Sequence, residues 1–79
     1  MYTVYVLRDE RGRLYKGVTN NLRRRLREHR YGQTITTSRM HQVQVVYTEM
    51  FGDFTHARER ELYLKSAAGR RFFKKTLGR

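Results

Sequence analysis

Five side chains in this sequence have the types and spacing to work together on a phosphate ester: Arg25 and His29, Glu61, and the tyrosines Tyr5 and Tyr15. On a period of 3.6 residues, Leu22, Arg25, Leu26 and His29 share one helix face, so an arginine and a histidine stand on the stripe that packs. Glu61 likewise shares a face with Ala57, Arg60 and Leu64, whereas Glu59 points away. Burying a carboxylate costs several kcal/mol unless something compensates. One compensation is an ion pair with Arg25. The other makes Glu61 an oxygen ligand for one divalent ion, Mg2+ or Mn2+, completed by waters and a phosphate. A lone carboxylate implies one metal ion and not a paired-metal clamp. Arg25 would then hold the scissile phosphate and stabilise the charge building on it.

Hydrolysis also needs a proton acceptor beside the attacking water. Tyr5 and Tyr15 are candidates, although a tyrosine with a pKa near 10 is a poor base unless cations such as Lys16, Arg25 or a metal lower it. His29 is a second candidate, for proton transfer or for a hydrogen bond that orients a tyrosine or the phosphate. The alternative for both tyrosines is ordinary strand packing.

The elements that position these groups follow from local pattern. Tyr2 to Leu7 alternates Tyr2, Val4 and Val6 with Thr3, Tyr5 and Leu7, apolar on both faces, which predicts a central strand covered on both sides. A charged turn with Gly12 leads to a second strand, Leu14 to Val18, whose Gly17 suits a bend or a close approach. Thr19-Asn20-Asn21 caps a helix from Leu22 to Arg30 that stops near Gly32. Gln33 to Gln42 reads as a long polar loop carrying Arg39 and His41. Val43 to Met50 is the third strand, with Val43, Val45 and Tyr47 on one face. Asp53 or Thr55 caps a second helix, Thr55 to Ser66. Ala67-Ala68-Gly69 breaks the run, and a basic helix from Arg70 to Leu77 closes the chain. Tyrosines on two strands, Arg25 with His29, and Glu61 are expected to converge on one sheet surface.

Seventy-nine residues make one small domain, 1–79, with a modest core. The absence of cysteine excludes disulfides and cysteine metal sites. Eighteen Lys and Arg against seven Asp and Glu give a net charge of +11, which points to a polyanionic partner. No apolar run approaches the roughly 20 residues of a membrane span, and no charged segment precedes an apolar one at the start. A cytoplasmic chain without membrane contact is the expectation.

The residues resemble the GIY-YIG nuclease family, and specifically its small stand-alone members. The first family tripeptide corresponds to Val4-Tyr5-Val6, without the leading glycine, and the second to Tyr15-Lys16-Gly17, with lysine in place of the usual aliphatic residue. The run GVTNNLRRRLREH from Gly17 to His29 is similar to the family's helix. The family's arginine, ten residues past the second-motif tyrosine, falls on Arg25, and its histidine-or-tyrosine position on His29. The family's metal-binding glutamate lies four residues after an alanine and four before a lysine, which selects Glu61 between Ala57 and Lys65. The tail SAAGRRFFKK also resembles the ending of this subgroup.

The resemblance implies an α+β fold, a three-stranded antiparallel sheet flanked by three short helices. It further implies hydrolysis of a DNA phosphodiester with one divalent metal, leaving 5′-phosphate and 3′-hydroxyl ends, and the expected function is a metal-dependent DNA endonuclease of low intrinsic sequence specificity. In that scheme Glu61 holds the metal, Arg25 the phosphate, and Tyr5 or Tyr15 assists deprotonation of water. Lys16, Arg24, Arg39, His41, Lys65 and Arg70 are the expected nucleic-acid contacts. An asparagine common about twelve residues after the glutamate is missing near Phe73. Substrate choice falls to the domain itself, to Gln33–Gln42, or to an accessory specificity protein, and cutting both strands calls for two encounters or a homodimer. Two other functions compete. One is a catalytically weak or inactive DNA- or RNA-binding module of the same fold. The other is an RNA or protein-interaction role in which Tyr5, Tyr15 and Tyr31 offer stacking surfaces.

Overall fold

A computed structural model describes residues 1–31 and 42–78. The elements run β1 (Tyr2–Arg8), β2 (Leu14–Thr19), α1 (Leu22–Arg30), β3 (Gln44–Phe51), α2 (Phe54–Lys65) and α3 (Ala67–Thr76). The strands form one antiparallel sheet in the order β2-β1-β3, so β1 is central, as its two apolar faces demand.

The β1–β2 hairpin is organised by a carboxylate that reads as mere turn polarity in the sequence. Asp9 is buried and accepts from the backbone N–H groups of Arg11 and Arg13 at 3.0 and 2.8 Å and from Arg13 Nε at 2.7 Å. Gly12 takes a φ of 83°, which a side chain would resist.

The two faces of β1 enter different halves of the core. Val4 and Val6 pack with Ala57 and Leu64 of α2 and Phe73 of α3. Tyr5 and Leu7, pointing the other way, pack with Tyr15, Val43 and Leu22 and Leu26 of α1. The sheet is therefore a middle layer, with α1 on one face and α2 and α3 on the other. Convergence of every candidate group on one sheet surface is corrected by this arrangement, because Glu61 belongs to the helix on the face opposite Tyr5.

Two local expectations are corrected as well. The pairing register steps from Val6↔Tyr47 to Leu7↔Val45, so Val46 is an extra residue and the strand bulges there. The bulge turns Tyr47 toward Val6 and the Phe72 and Phe73 rings instead of sharing a face with Val45. The break between the last two helices falls at Ser66, not at Ala67-Ala68-Gly69. Ser66 ends α2 through its N–H to the Tyr63 carbonyl, and its hydroxyl accepts from Gly69 N to cap α3. Gly69 lies inside α3 and is buried; a Cβ there would sit 2.2 Å from the Leu64 carbonyl oxygen. Its role is close approach of the two helices.

The helix phases hold. His29 is buried with Leu22, Arg25 and Leu26 half-buried, and α2 buries Ala57, Glu61 and Leu64. Arg60, half-buried on the same stripe, donates through Nε to Glu49 at 3.1 Å and stacks over the Tyr63 and Phe72 rings. That contact ties α2 to β3.

Candidate active site

Tyr5 stands opposite Gly17 in the β1–β2 ladder, and Tyr15 lies two residues before Gly17 on the same face. A Cβ on Gly17 would fall 2.6 Å from the Tyr5 hydroxyl and 3.1 Å from Tyr15 Cε1. The glycine therefore leaves room for the Tyr5 ring to cross beneath the edge strand. Asn21 caps α1 by accepting from Arg24 N at 3.1 Å, and Thr19 Oγ1 accepts from Asn21 N at 3.0 Å. That start sets the phase that delivers His29 over the tyrosines. The Tyr5 hydroxyl meets His29 Nε2 at 2.8 Å, buried. The three rings form a triangle, with centroids 6.2 Å apart for Tyr5–Tyr15, 5.7 Å for Tyr5–His29 and 4.8 Å for Tyr15–His29.

Electrostatics assign the protonation states. Burial pushes the Tyr5 pKa up to about 12, against the pull of the neighbouring Arg25 guanidinium, so the phenol is neutral. Burial and then Arg25 hold His29 below its usual value, so its imidazole is neutral at pH 7 and Nε2 can accept the Tyr5 proton. Arg25 is held charged by Glu28, to which its Nη1 donates at 2.9 Å, and by the hydroxyls of Tyr5 and Tyr15. With its side chain one-third exposed, Arg25 keeps access to solvent at the rim of the cluster. The structure thus brings Tyr5, Tyr15, Arg25 and His29 together. It also pairs Arg25 with Glu28, an i, i+3 neighbour on the same helix.

Glu61 occupies the other face. It is 5% exposed, with Oε1 receiving Arg58 Nη1 at 2.6 Å and Oε2 receiving Lys65 Nζ at 2.8 Å. The partner is not Arg25. Burial alone would raise the Glu61 pKa, but Lys65 and then Arg58 more than reverse it, so the group is ionised. Lys16 projects to this same face, over the Phe73 ring at 5.7 Å, and burial followed by Arg70 and Lys65 lowers its pKa. Lys16, Lys65 and Arg70, three expected nucleic-acid contacts, therefore gather on the Glu61 side. The place where an asparagine was missing, Phe73, is filled by a buried core ring.

Among the described residues no three His, Cys, Asp or Glu side chains cluster as a metal cage. A single ionised carboxylate is the kind of donor that a magnesium-type ion would take while keeping its waters. Glu61 is ionised and fixed on a packed helix, and each carboxylate oxygen has a second lone pair. Arg58 and Lys65, which occupy these two oxygens, have side chains about half exposed, at 47% and 46%.

β2 links the two faces, sending Tyr15 and Gly17 to one and Lys16 to the other. At the end of the sheet where β1 begins and β2 stops, a cavity of about 410 Å3 opens between the first turns of α1 and α2, lined in part by Arg24 and Arg25. Arg39 and His41 lie outside the described residues. The stacking-surface alternative loses Tyr5, which is 1% exposed, while Tyr31 is exposed.

The GIY-YIG catalytic-domain profile matches residues 1–75, and the chain belongs to that nuclease-type family. It is similar to a UPF0213 protein of Clostridium perfringens, 38% identical over 66 residues, spanning 82% of this chain and 71% of that protein. A UPF0213 protein from the VLF1-GP41 intergenic region of Autographa californica nuclear polyhedrosis virus is 48% identical over 29 residues, only 37% of this chain and 28% of the viral protein. The solution structure of a UPF0213 protein from Bacillus halodurans shares the fold, with a TM-score of 0.59 and 25% identity over 96% of this chain and 85% of that one. No described helix is long and apolar enough to cross a membrane.

Proposed function

We propose that this protein is a metal-dependent endonuclease that hydrolyses DNA phosphodiester bonds with little intrinsic sequence preference. The observation that carries this reading is the buried Tyr5–His29 hydrogen bond set beside Arg25, in a chain of the GIY-YIG family. Arg25 holds a non-bridging phosphate oxygen and stabilises the charge that grows on it. Tyr15, less enclosed than Tyr5, faces the attacking water. The water oxygen bonds to phosphorus as the bond from phosphorus to the 3′ oxygen breaks, leaving 5′-phosphate and 3′-hydroxyl ends. The water's proton passes to the Tyr15 oxygen, the Tyr15 proton to Tyr5, and the Tyr5 proton to His29 Nε2, while the departing 3′ oxygen takes a proton from solvent. Glu61, on the α2 side of the sheet, is the residue that would hold one Mg2+ or Mn2+ ion, whose chemistry when bound would be Lewis-acid polarisation of a phosphate oxygen. Lys16, Arg24, Lys65 and Arg70 add phosphate contacts that position the strand without reading it.

The test is conversion of supercoiled plasmid to nicked and linear forms with Mg2+ or Mn2+, with binding measured in EDTA. Glu61→Gln and Arg25→Ala are each expected to lower nicking by about 10²–10³-fold, with Glu61→Gln still binding DNA. Accumulation of nicked over linear product would mean independent encounters, whereas direct linearisation would mean a dimer. A second reading, a binding module without cleavage, is favoured by the occupation of both Glu61 oxygens by Arg58 and Lys65. It predicts that wild type and both variants bind without cutting, and that Mg2+ acts only by screening.

A further inference from the structure

We propose that the cavity between the first turns of α1 and α2 is a nucleobase subsite that receives an unpaired base attached to the phosphate Arg25 holds. This rests on the reading of the chain as acting on DNA, and adds to it a site for the nucleotide beside the reacting bond. The cavity, about 410 Å3, has one apolar wall and one cationic wall. Tyr2 and Phe54 form the apolar wall, edge to face with centroids 5.5 Å apart. Phe54 is 49% exposed, a large ring left open to solvent at the start of a helix. It is held there by the Asp53 cap, whose carboxylate accepts from His56 N at 2.8 Å and meets His56 Nδ1 at 2.7 Å. Arg24 and Arg25 form the cationic wall, no carboxylate among the described residues lines the cavity, and Asn20 adds an exposed amide that can both donate and accept.

A ligand complementary to this lining has a flat aromatic body with hydrogen-bonding edges and a negative charge next to it. A nucleotide within a strand meets all three conditions, the base lying against Phe54 and the phosphate on the arginines. A base stacked inside a duplex offers no free face to a ring, so the occupant has to be out of the stack. Arg25 belongs both to this lining and to the tyrosine–histidine cluster, which places the base next to the reacting phosphate.

The experiment uses the full chain in EDTA, so that its outcome does not depend on cleavage. A short single-stranded oligonucleotide carrying one 2-aminopurine, and the blunt duplex of the same sequence, are titrated with wild type, Phe54→Ala, Phe54→Leu and Asn20→Ala. Melting temperatures identify any variant that has lost its fold, and Phe54→Leu keeps an apolar contact to Tyr2 without an aromatic face. Wild type is expected to quench 2-aminopurine in the single strand. Both Phe54 variants should lose that quenching and bind the single strand about tenfold more weakly, with duplex affinity changed less than about twofold. Equal losses on both substrates, no loss on either, or no binding to the single strand would overturn the subsite. Displacement of the strand by a free deoxynucleoside monophosphate at comparable concentration would assign the cavity to free nucleotides and overturn the strand reading. Quenching with no nicking in Mg2+ would sink the endonuclease and leave the subsite standing.

Discussion

The two faces of the sheet solve the burial of polar groups in opposite ways. Under α1, Tyr5 and His29 are buried as a neutral pair from residues 24 apart in sequence, with the charge of Arg25 kept at the rim. Under α2, Glu61 is buried ionised, and its partners Arg58 and Lys65 are one turn away on its own helix. The first arrangement exists only when strand and helix are docked. The second is assembled by helix geometry alone, since i, i+3 and i, i+4 neighbours share a face. The α1 face thus buries a neutral hydrogen-bonded pair beside one rim charge, and the α2 face an ionised carboxylate between two cations.

The comparison breaks most severely at the glycines that let each face close. Gly69→Ala drives a Cβ into the Leu64 backbone, which cannot turn aside, and should cost about 3 kcal/mol or more or prevent folding. Gly17→Ala meets a side chain, the Tyr5 ring, and should cost about 1–3 kcal/mol while displacing the hydroxyl from His29. Thermal and urea melts of the two variants check the order. Equal losses would show that the Tyr5 position is as rigid as backbone.

pH separates the faces next. The His29 pKa lies below its unfolded value near 6.5, so the unfolded chain binds more protons between the two and stability falls as pH drops through that window. The Glu61 pKa is also lowered, from 4.5, so its contribution persists to lower pH and is lost only as pH falls through the folded value. Wild type should therefore melt at a lower temperature at pH 5.5 than at pH 7.5, roughly the window set by a histidine, and His29→Gln should remove most of that difference. His56, raised by Asp53, works in the opposite sense and is common to both proteins. An unchanged difference in His29→Gln would assign the acid sensitivity elsewhere.

The smallest effect concerns the start of α1. Asn21→Ala removes the acceptor of Arg24 N and should cost about 1 kcal/mol, with nicking reduced because α1 carries both Arg25 and His29. A stability loss with full nicking would mean that packing of Leu22 and Leu26 fixes the helix without its cap.

Much of this architecture was legible from local pattern. The bounds of α1, its Asn cap, and the burial of His29, Ala57, Glu61 and Leu64 all follow from periodicity and capping chemistry. Asp9 was not legible, because nothing local distinguishes a buried turn carboxylate from a solvated one. Neither was the cavity wall at Phe54: a single aromatic at a helix start has no periodic partner, and Tyr2 lies far from it in sequence.

The sequence by itself determined which helix residues share a face, where most elements start, that Glu61 has cations in reach, and that the chain carries the GIY-YIG motifs. Only the tertiary structure decided that Glu61 and the tyrosines sit on opposite sides of the sheet, that Val46 bulges to reorient Tyr47, and that Gly69 is a contact instead of a break. The physical reason is range. Period and capping act over a turn or a strand pair, whereas the choice of sheet face and the approach of one backbone to another depend on how the whole core fills.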